Sequence, residues 1–282
     1  MSKKVKILLV VVFALLFIVS ICAVAYPCVS NYLADRRQGS IVLQYNEAVE
    51  IAENTEINAD LEAARAYNTT LANGQENITD YDTLLNPTGN GIMGTITIPS
   101  IGVELPIYHG TQSLELGALH LQGTSLPVGG ISTHCVISAH SGMSSQKMFT
   151  DLDQLAEDDV FYLKVYSDTL AYEVDQILTV LPDNTAPLMI VQDEDYCTLL
   201  TCTPYGINTH RLLVRGHRIA YKPDAAAKDE QTPVSIKRST WMQQYLRGIL
   251  CGVGIVVFAA IAFGCLVLIR RRRNGRKQEK KQ

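Results

Sequence analysis

The sequence predicts an all-β fold, either a barrel or a sandwich, in the middle of a chain with a membrane-spanning segment near each end. Short β-prone runs bounded by Gly and Pro recur from Ile92 onwards. Uncharged stretches of 19 and 22 residues lie close to the two termini. The roughly 130 residues from 92 to 221 suffice for one domain with its own core.

The first 26 residues combine a basic cluster with an apolar run. Three lysines precede Ile7–Ala25, which is 19 residues long and carries no charge. This pattern is typical of a signal peptide or of an uncleaved signal anchor. Ala23–Ala25 resembles a cleavage site, but the length of the run favours an anchor. We therefore predict residues 1–26 as a transmembrane signal anchor, with cleavage as the alternative.

A second apolar run lies near the C-terminus. Gly248–Ile269 is long enough to cross a hydrocarbon core of about 30 Å. Four arginines, Arg270–Arg273, follow it, and the basic tail continues to 282. Because basic flanks stay in the cytoplasm, both termini are predicted inside and residues 27–246 outside.

The charge of the exterior part excludes one class of partner. The whole chain has a net charge of −4, whereas residues 27–246 hold 12 basic and 27 acidic residues, a net of −15. Nucleic-acid binding requires a basic face, so we expect no nucleic-acid partner.

The cysteines outside the spans are Cys28, Cys135, Cys197 and Cys202. They show neither a disulfide-framework spacing nor a CxxC metal pattern, so we expect no metal and no cofactor. Cys135 and Cys197 could form a disulfide bridge or remain as buried free thiols, and the sequence leaves both alternatives open.

The exterior part divides into segments with different sequence patterns. Apolar residues at helical spacing in Val29–Ala72 predict one or two amphipathic helices, and the Gly- and Pro-containing Asn73–Asn90 predicts a loop. Residues 27–90 are thus an extracellular helical segment, 91–221 the β domain, and 222–247 a linker. Ser145–Leu155 predicts a helix within the β domain. The predicted strands are Gly94–Pro99, Val103–His109, Cys135–His140, Asp159–Tyr166, Leu170–Leu181, Tyr196–Cys202 and Arg211–Tyr221.

The stretch Asp195–Ile219 carries the strongest candidate site. One β-prone run ends on Cys202, and after a turn-rich segment the next run begins at Arg211. A thiolate attacks acyl carbons and forms more readily beside positive charge. A guanidinium can hold a developing oxyanion. The alternative is a small buried hydrophobic residue at 202 and a solvated arginine at 211.

Acyl transfer from an amide also needs a general acid, usually a histidine. Six histidines are available. His140 ends a predicted strand and precedes Ser141-Gly142, while His210 lies beside Arg211 in the loop. Placement at a strand end favours His140 and leaves His210 as the competitor.

Several motifs, in one order, resemble a known family. The motifs are Thr198-Leu199-Leu200-Thr201-Cys202, Thr203-Pro204-Tyr205-Gly206, the run from Asn208 to Arg218, Gly91-Ile92-Met93-Gly94 and the run from Leu105 to Thr111. The first matches the TLxTC signature of sortases. The others are similar to the pilin-polymerising class C enzymes, which also carry a C-terminal span with a basic tail.

This resemblance implies an eight-stranded β-barrel cysteine transpeptidase on the outer face of a Gram-positive cell membrane. Cys202, His140 and Arg211 match the family's catalytic residues, which settles the choice of histidine. We also expect Thr201 and Thr203 to contact substrate. The implied reaction cleaves an LPXTG-like sorting signal between Thr and Gly and joins the acyl group to a lysine amine of another pilin subunit.

Other functions remain open. A sortase that anchors surface proteins to peptidoglycan would have the same barrel and catalytic residues, although the second span favours the polymerising class. A hydrolytic cysteine peptidase does not fit the TLxTC context. A membrane-tethered surface binding domain would hold the Cys, His and Arg by coincidence.

One departure concerns access to the site. Class C enzymes typically carry an N-terminal lid with an Asp-Pro-aromatic motif. Leu71–Leu85 has no Asp-Pro pair, and its acid-aromatic cluster is Asp80-Tyr81-Asp82. Without the fixed φ of proline such a loop is less rigid. We therefore expect a weak or absent lid and an open Cys202.

The predicted topology can be tested on intact protoplasts. Added protease should destroy the β domain and spare a tag placed after Gln282, because both basic ends are expected in the cytoplasm. Immunoblotting against the tag and the domain measures both. Loss of the tag would overturn the two-span topology.

Overall fold

Two helices precede the β domain. The computed structural model describes residues 3–75, 80–110, 115–143, 145–223, 226, 243, 245–256, 258 and 264. Helix α1 runs without interruption over Lys3–Ile51 and includes Pro27, and α2 spans Asn54–Ala72. The helices expected between Val29 and Ala72 are therefore present. The first of them continues directly from the N-terminal apolar run.

Helix α1 changes its surroundings along its length. Its N-terminal part exposes large apolar side chains, such as Phe17 at 68% and Leu33 at 60%. Among the described residues it is the one helix long and apolar enough to cross a membrane, and its most apolar 18-residue stretch has a mean hydropathy of 2.5. From Gln38 onwards one face is buried, including Val42 and Tyr45. A single helix thus serves both as a candidate span and as an element packed on the β domain.

The β domain is a closed barrel. Its strands are β1 (Ile92–Ile98), β2 (Val103–His109), β3 (Ala118–His120), β4 (Thr133–Ser138), β5 (Val160–Val165), β6 (Asp168–Val180), β7 (Asp195–Thr203) and β8 (His210–Ile219). They are hydrogen-bonded in the order β1-β2-β3-β4-β7-β8-β6-β5. Pairs β2–β3 and β4–β7 are parallel and the others antiparallel. The eight-stranded barrel is confirmed, and the sandwich is excluded.

All seven predicted strands are present, and β2 has the predicted bounds. The three-residue β3 was missed because so short a run shows no measurable alternation.

The interior of the barrel follows from alternation along each strand. Cys135 and Ile137 of β4, Leu199 of β7, and Leu212 and Val214 of β8 lie in one buried core. Because successive side chains point to opposite faces, the residues between them face outwards. This parity determines which ends of the three strands can share a site.

The predicted helix at Ser145–Leu155 is wrong. The described residues there form turns and one short 3-10 helix, Leu152–Gln154. The apolar spacing nevertheless reports burial, because Phe149 and Leu152 are fully buried. An irregular loop buries the same side chains that a helix at that spacing would bury.

The second predicted span lies mostly outside the described residues. Tyr245–Val256 is an apolar helix within a separate compact unit, Thr240–Gln282. Apart from residues 258 and 264, the remainder of Gly248–Ile269 is not described, nor are the tail 270–282 and most of the linker 222–247. The two-span topology therefore stays a prediction.

Tyr45 should carry much of the docking of α1. Its fully buried hydroxyl donates to Met93 O at 3.2 Å and accepts from the Tyr166 N–H at 2.8 Å. Tyr45→Phe leaves the buried Met93 carbonyl and the Tyr166 N–H without this hydrogen-bond partner. We therefore expect the free energy of unfolding to fall by about 1–3 kcal/mol. Denaturant titration of the full chain in detergent measures this.

The matched control is Tyr221→Phe, because Tyr221 is 39% exposed. It should change the free energy of unfolding by less than about 0.5 kcal/mol. Equal stability losses for the two variants would contradict this account of docking.

Candidate active site

Strands β7 and β8 bring Cys202 and Arg211 face to face. The two residues are direct partners in the antiparallel register. Leu199 on β7 and Leu212 on β8 point into the core, so alternation puts both candidate side chains on the outer face of the barrel. Side chains directly opposite each other in such a pair have Cβ atoms about 5 Å apart. The thiol and the guanidinium are therefore cross-strand neighbours.

His140 reaches the same face from the other side of β7. Strand β4 pairs in parallel with β7 up to Ser138–Leu200, and the Ala139 N–H continues this pairing by donating to Leu200 O at 3.2 Å. Ala139 lies in the core, so the next residue, His140, faces outwards at the level of Cys202. Neighbouring strands are about 4.8 Å apart. The order of the three residues across the sheet is His140, Cys202, Arg211.

Two hydroxyl groups connect the end of β4 to the end of β7. The Thr201 hydroxyl donates to Ala139 O at 2.8 Å. The Ser141 hydroxyl donates to Cys202 O in a short bond. The residues on either side of His140 are thus each bonded to β7. Sequence reasoning missed this role of Thr201 and Ser141, although hydroxyls flanking both site residues were a visible signal.

The turn after Cys202 packs against the loop after His140. Gly142 has φ +79°, and a Cβ there would lie 3.3 Å from Gly206 N and 3.7 Å from the Tyr205 ring. The left-handed backbone and the close approach both suit glycine.

Arg211 is oriented by the turn that precedes it. Its Nη1 donates to Asn208 O at 3.2 Å and to His210 O at 3.1 Å. Asn208 adopts the left-handed conformation, with φ 62°, which asparagine tolerates well. His210, the residue before Arg211, pairs with Thr203 and points to the opposite face from Arg211. This geometry favours His140 over His210 as the partner of Cys202.

The predicted substrate contacts of Thr201 and Thr203 differ in their support. Thr201 is 2% exposed, and its hydroxyl is engaged with Ala139. Thr203 is half-buried at the end of β7, where a substrate could reach it. The burial of Thr201 indicates a positioning role, and both substrate contacts stay predictions.

Cys202 is the accessible thiol of the barrel. It is half-buried, whereas Cys135 and Cys197 are buried partners on β4 and β7. Burial raises the pKa of the Cys197 thiol well above its usual range. The cysteines of the barrel are free, and the accessible one lies between the histidine and the arginine.

A polar network lies further along the outer face. His134 is 1% exposed, and its ring nitrogens contact Met189 O at 2.9 Å and Thr198 Oγ1 at 2.7 Å. Burial lowers the pKa of His134 because it disfavours the imidazolium. The neutral ring therefore ties the connection between β6 and β7 to the sheet.

Arg215 continues this network on β8. It forms a two-pronged ion pair with Asp175, at 2.9 and 2.8 Å, and its guanidinium lies 4.1 Å from the Tyr196 ring centre. Since its charge is paired, Arg215 is not equivalent to Arg211. Among the described residues, no group of three or more His, Cys, Asp and Glu side chains could hold a metal ion.

Tyr81, the aromatic residue of the lid region, packs elsewhere. It is 6% exposed, its hydroxyl lies 2.8 Å from His120 Nδ1, and its ring contacts His109 edge-on. These neighbours belong to β2 and β3, so Tyr81 does not act as a ring over Cys202. Residues 76–79 lie outside the described residues, and a weak or absent lid stays a prediction.

Comparisons with known proteins define the family. The sortase domain matches residues 96–219. The X-ray structure of sortase C from Clostridium perfringens with the C-terminal cell wall sorting motif is 46% identical, with TM-score 0.59 over 64% of this chain and 99% of its own. The chain belongs to the sortase family of transpeptidases.

The particular structures it matches strongly are class C sortases. Besides the clostridial enzyme, the pilus-related sortase C of Group B Streptococcus is 46% identical, with TM-score 0.58 over 63% of this chain and 96% of its own. Sortase A from Bacillus anthracis is 27% identical over 135 residues, or 46% of this chain. This chain spans 61% of the length of that sortase A.

Thr201→Val separates positioning from substrate binding. Valine keeps the shape but removes the donor to buried Ala139 O, so we expect a loss of about 1–3 kcal/mol in stability. We also expect a lower kcat with unchanged KM, because His140 follows Ala139 directly. Thr201→Ser, which keeps the hydroxyl, is the control and should retain activity. A raised KM at unchanged kcat would instead favour the substrate contact.

Proposed function

We propose that this chain is a membrane-anchored cysteine transpeptidase that polymerises pilins. It cleaves an LPXTG-like sorting signal between Thr and Gly and transfers the acyl group to a lysine amine of another pilin subunit. The observation that carries the catalytic part is the order His140, Cys202, Arg211 across neighbouring chain segments: His140 lies just beyond β4, Cys202 on β7 and Arg211 on β8.

The geometry suits a two-step acyl transfer. The Cys202 thiolate attacks the carbonyl carbon of Thr, and the oxygen becomes an oxyanion that Arg211 can stabilise with N–H donors. His140, as imidazolium, protonates the departing glycine amine, and the C–N bond breaks to leave a thioester. A lysine amine then attacks the thioester and loses a proton to the now neutral His140, and the C–S bond breaks to release the Cys202 thiolate, which restores the starting thiolate–imidazolium pair.

The pilin acceptor is supported by likeness to class C enzymes. One matched structure is described as pilus-related, and another was solved with a cell wall sorting motif. Each is covered over at least 96% of its length. The proposed partners are accordingly pilin or other surface proteins that bear LPXTG-like signals. The amine acceptor in peptidoglycan remains the second candidate, because barrel and catalytic residues would be the same.

The proposed membrane attachment is supported by the apolar part of α1 and by the second span predicted from the sequence. The described part of α1 is apolar and long enough to cross a bilayer. Gly248–Ile269 and the basic tail favour two spans, with the barrel on the outer face.

Cys202→Ala should abolish acyl-enzyme formation, because no other group in the proposed site can form the thioester. Intact mass spectrometry after incubation with a sorting-signal peptide measures the adduct, and circular dichroism checks the fold. Cys197→Ala is the matched control on the same strand and should keep the adduct. Persistence of the adduct in Cys202→Ala would refute the nucleophile.

His140→Ala should lower kcat/KM by about 10²–10⁴-fold, the usual contribution of a general acid. His210→Ala should cost much less, since that side chain points to the opposite face from Arg211. Arg211→Lys should also lower kcat/KM, because an ammonium cannot reproduce the planar guanidinium. Steady-state cleavage of a quenched peptide measures all three. Equal losses at positions 140 and 210 would contradict the assignment.

A further inference from the structure

The loop that begins at His140 is closed at its base. The Phe149 N–H donates to His140 O at 3.1 Å, and the Gly142 N–H donates to Thr150 Oγ1 at 3.2 Å. Phe149 is fully buried in the core. One end of the loop is therefore anchored in the barrel, while the other end carries the proposed acid.

The far side of this loop is held by α1. The Gln146 side chain donates from Nε2 to Glu115 O at 2.9 Å, and its Oε1 accepts from Gln38 Nε2 at 3.2 Å. Gln38 is 5% exposed. A largely buried amide needs such a partner, because leaving one unsatisfied is costly. Gln38 thus fixes where Gln146 can lie.

The next loop residue is held by the barrel. Lys147 donates to Ile101 O at 2.8 Å and forms an ion pair with the fully buried Asp151 at 3.1 Å. The loop is therefore held on one side by α1, through Gln38, and on the other by the barrel, through Lys147.

We propose that Gln38 is a positioning residue for His140, and that α1 orients the general acid as well as anchoring the barrel. This inference rests on the proposed function, in which His140 protonates the leaving amine. Gln38 lies on the same uninterrupted helix as the predicted span, residues 1–26, about three turns beyond its end. The candidate membrane span and the acid loop are thus joined by one continuous helix.

A positioning role makes a specific prediction about chemistry. Displacing the loop should impair protonation of the leaving amine more than attack by the thiolate. A thioester in place of the Thr–Gly amide releases a thiolate, which departs without needing a proton. The two substrates therefore separate an effect on the acid from a general loss of structure.

The test compares Gln38→Ala with the wild type in the full chain, in detergent, on the amide peptide and its thioester analogue. We expect kcat on the amide to fall about tenfold, since small misplacements of catalytic groups are costly. KM on the amide and the first-turnover rate of thiol release from the thioester should be unchanged, because that release needs no proton from His140. The double variant Gln38→Ala/Gln146→Ala should lose no more than either single variant, because the two side chains act through one bond.

The matched control is Asn46→Ala. Asn46 also lies on α1 and accepts a hydrogen bond across to the barrel, from Lys164 at 2.9 Å, but this partner lies on β5 and not in the loop that carries His140. Its kcat on the amide should equal that of the wild type. Equal behaviour of the Gln38 and Asn46 variants, or equal losses on amide and thioester, would overturn the inference alone. A wild type that cleaves no sorting-signal peptide would overturn the proposed function and this inference with it.

Discussion

The three candidate catalytic residues lie at or just beyond the ends of three neighbouring strands, and the pairing between these strands decides whether a site exists. Because side chains alternate with a period of two, a one-residue slip of β4 or β8 against β7 would turn His140 or Arg211 into the barrel. The observed register places both beside Cys202 on the outer face. The core therefore has a catalytic consequence, since the buried Cys135, Leu199 and Val214 fix that register.

The parallel pairing of β4 and β7 determines at which edge of the sheet the site lies. Both strands end at the same edge of the sheet, so a residue just after β4 lies beside one at the end of β7. The hydroxyls of Thr201 and Ser141 then bond across this edge and hold the backbone on both sides of His140. The acid is thus oriented by its chain neighbours, while Arg211 is oriented by carbonyls of its own turn.

Sequence reasoning predicted the features that depend on local patterns. Seven strands, the helical N-terminal segment and the stretch that holds Cys202 and Arg211 follow from alternation, breakers and residue chemistry. The choice between barrel and sandwich does not, because closure depends on which distant strands pair. The helix predicted at Ser145–Leu155 failed for a related reason. Its apolar spacing records burial, and a loop wrapped on a core satisfies burial as well as a helix does.

The sequence allowed the candidate catalytic residues to be predicted, but not the hydrogen bonds that hold them in place. The nucleophile, the arginine and the favoured histidine were visible as residue types at strand ends. The contacts of Gln38, Thr201 and Ser141 connect residues that are distant in sequence or carry ordinary side chains. No local pattern reports such contacts, because they arise only when the chain has closed.

The uninterrupted α1 has a mechanical consequence. One continuous helix joins the candidate membrane span to the buried docking face, with no loop between them. When the apolar part of this helix lies in a bilayer, the barrel cannot tumble freely. The Cys202 thiol is then held at a roughly constant distance from the membrane surface. The enzyme then meets other membrane-held chains by lateral diffusion in the plane of the membrane, and not by movement of the barrel away from it.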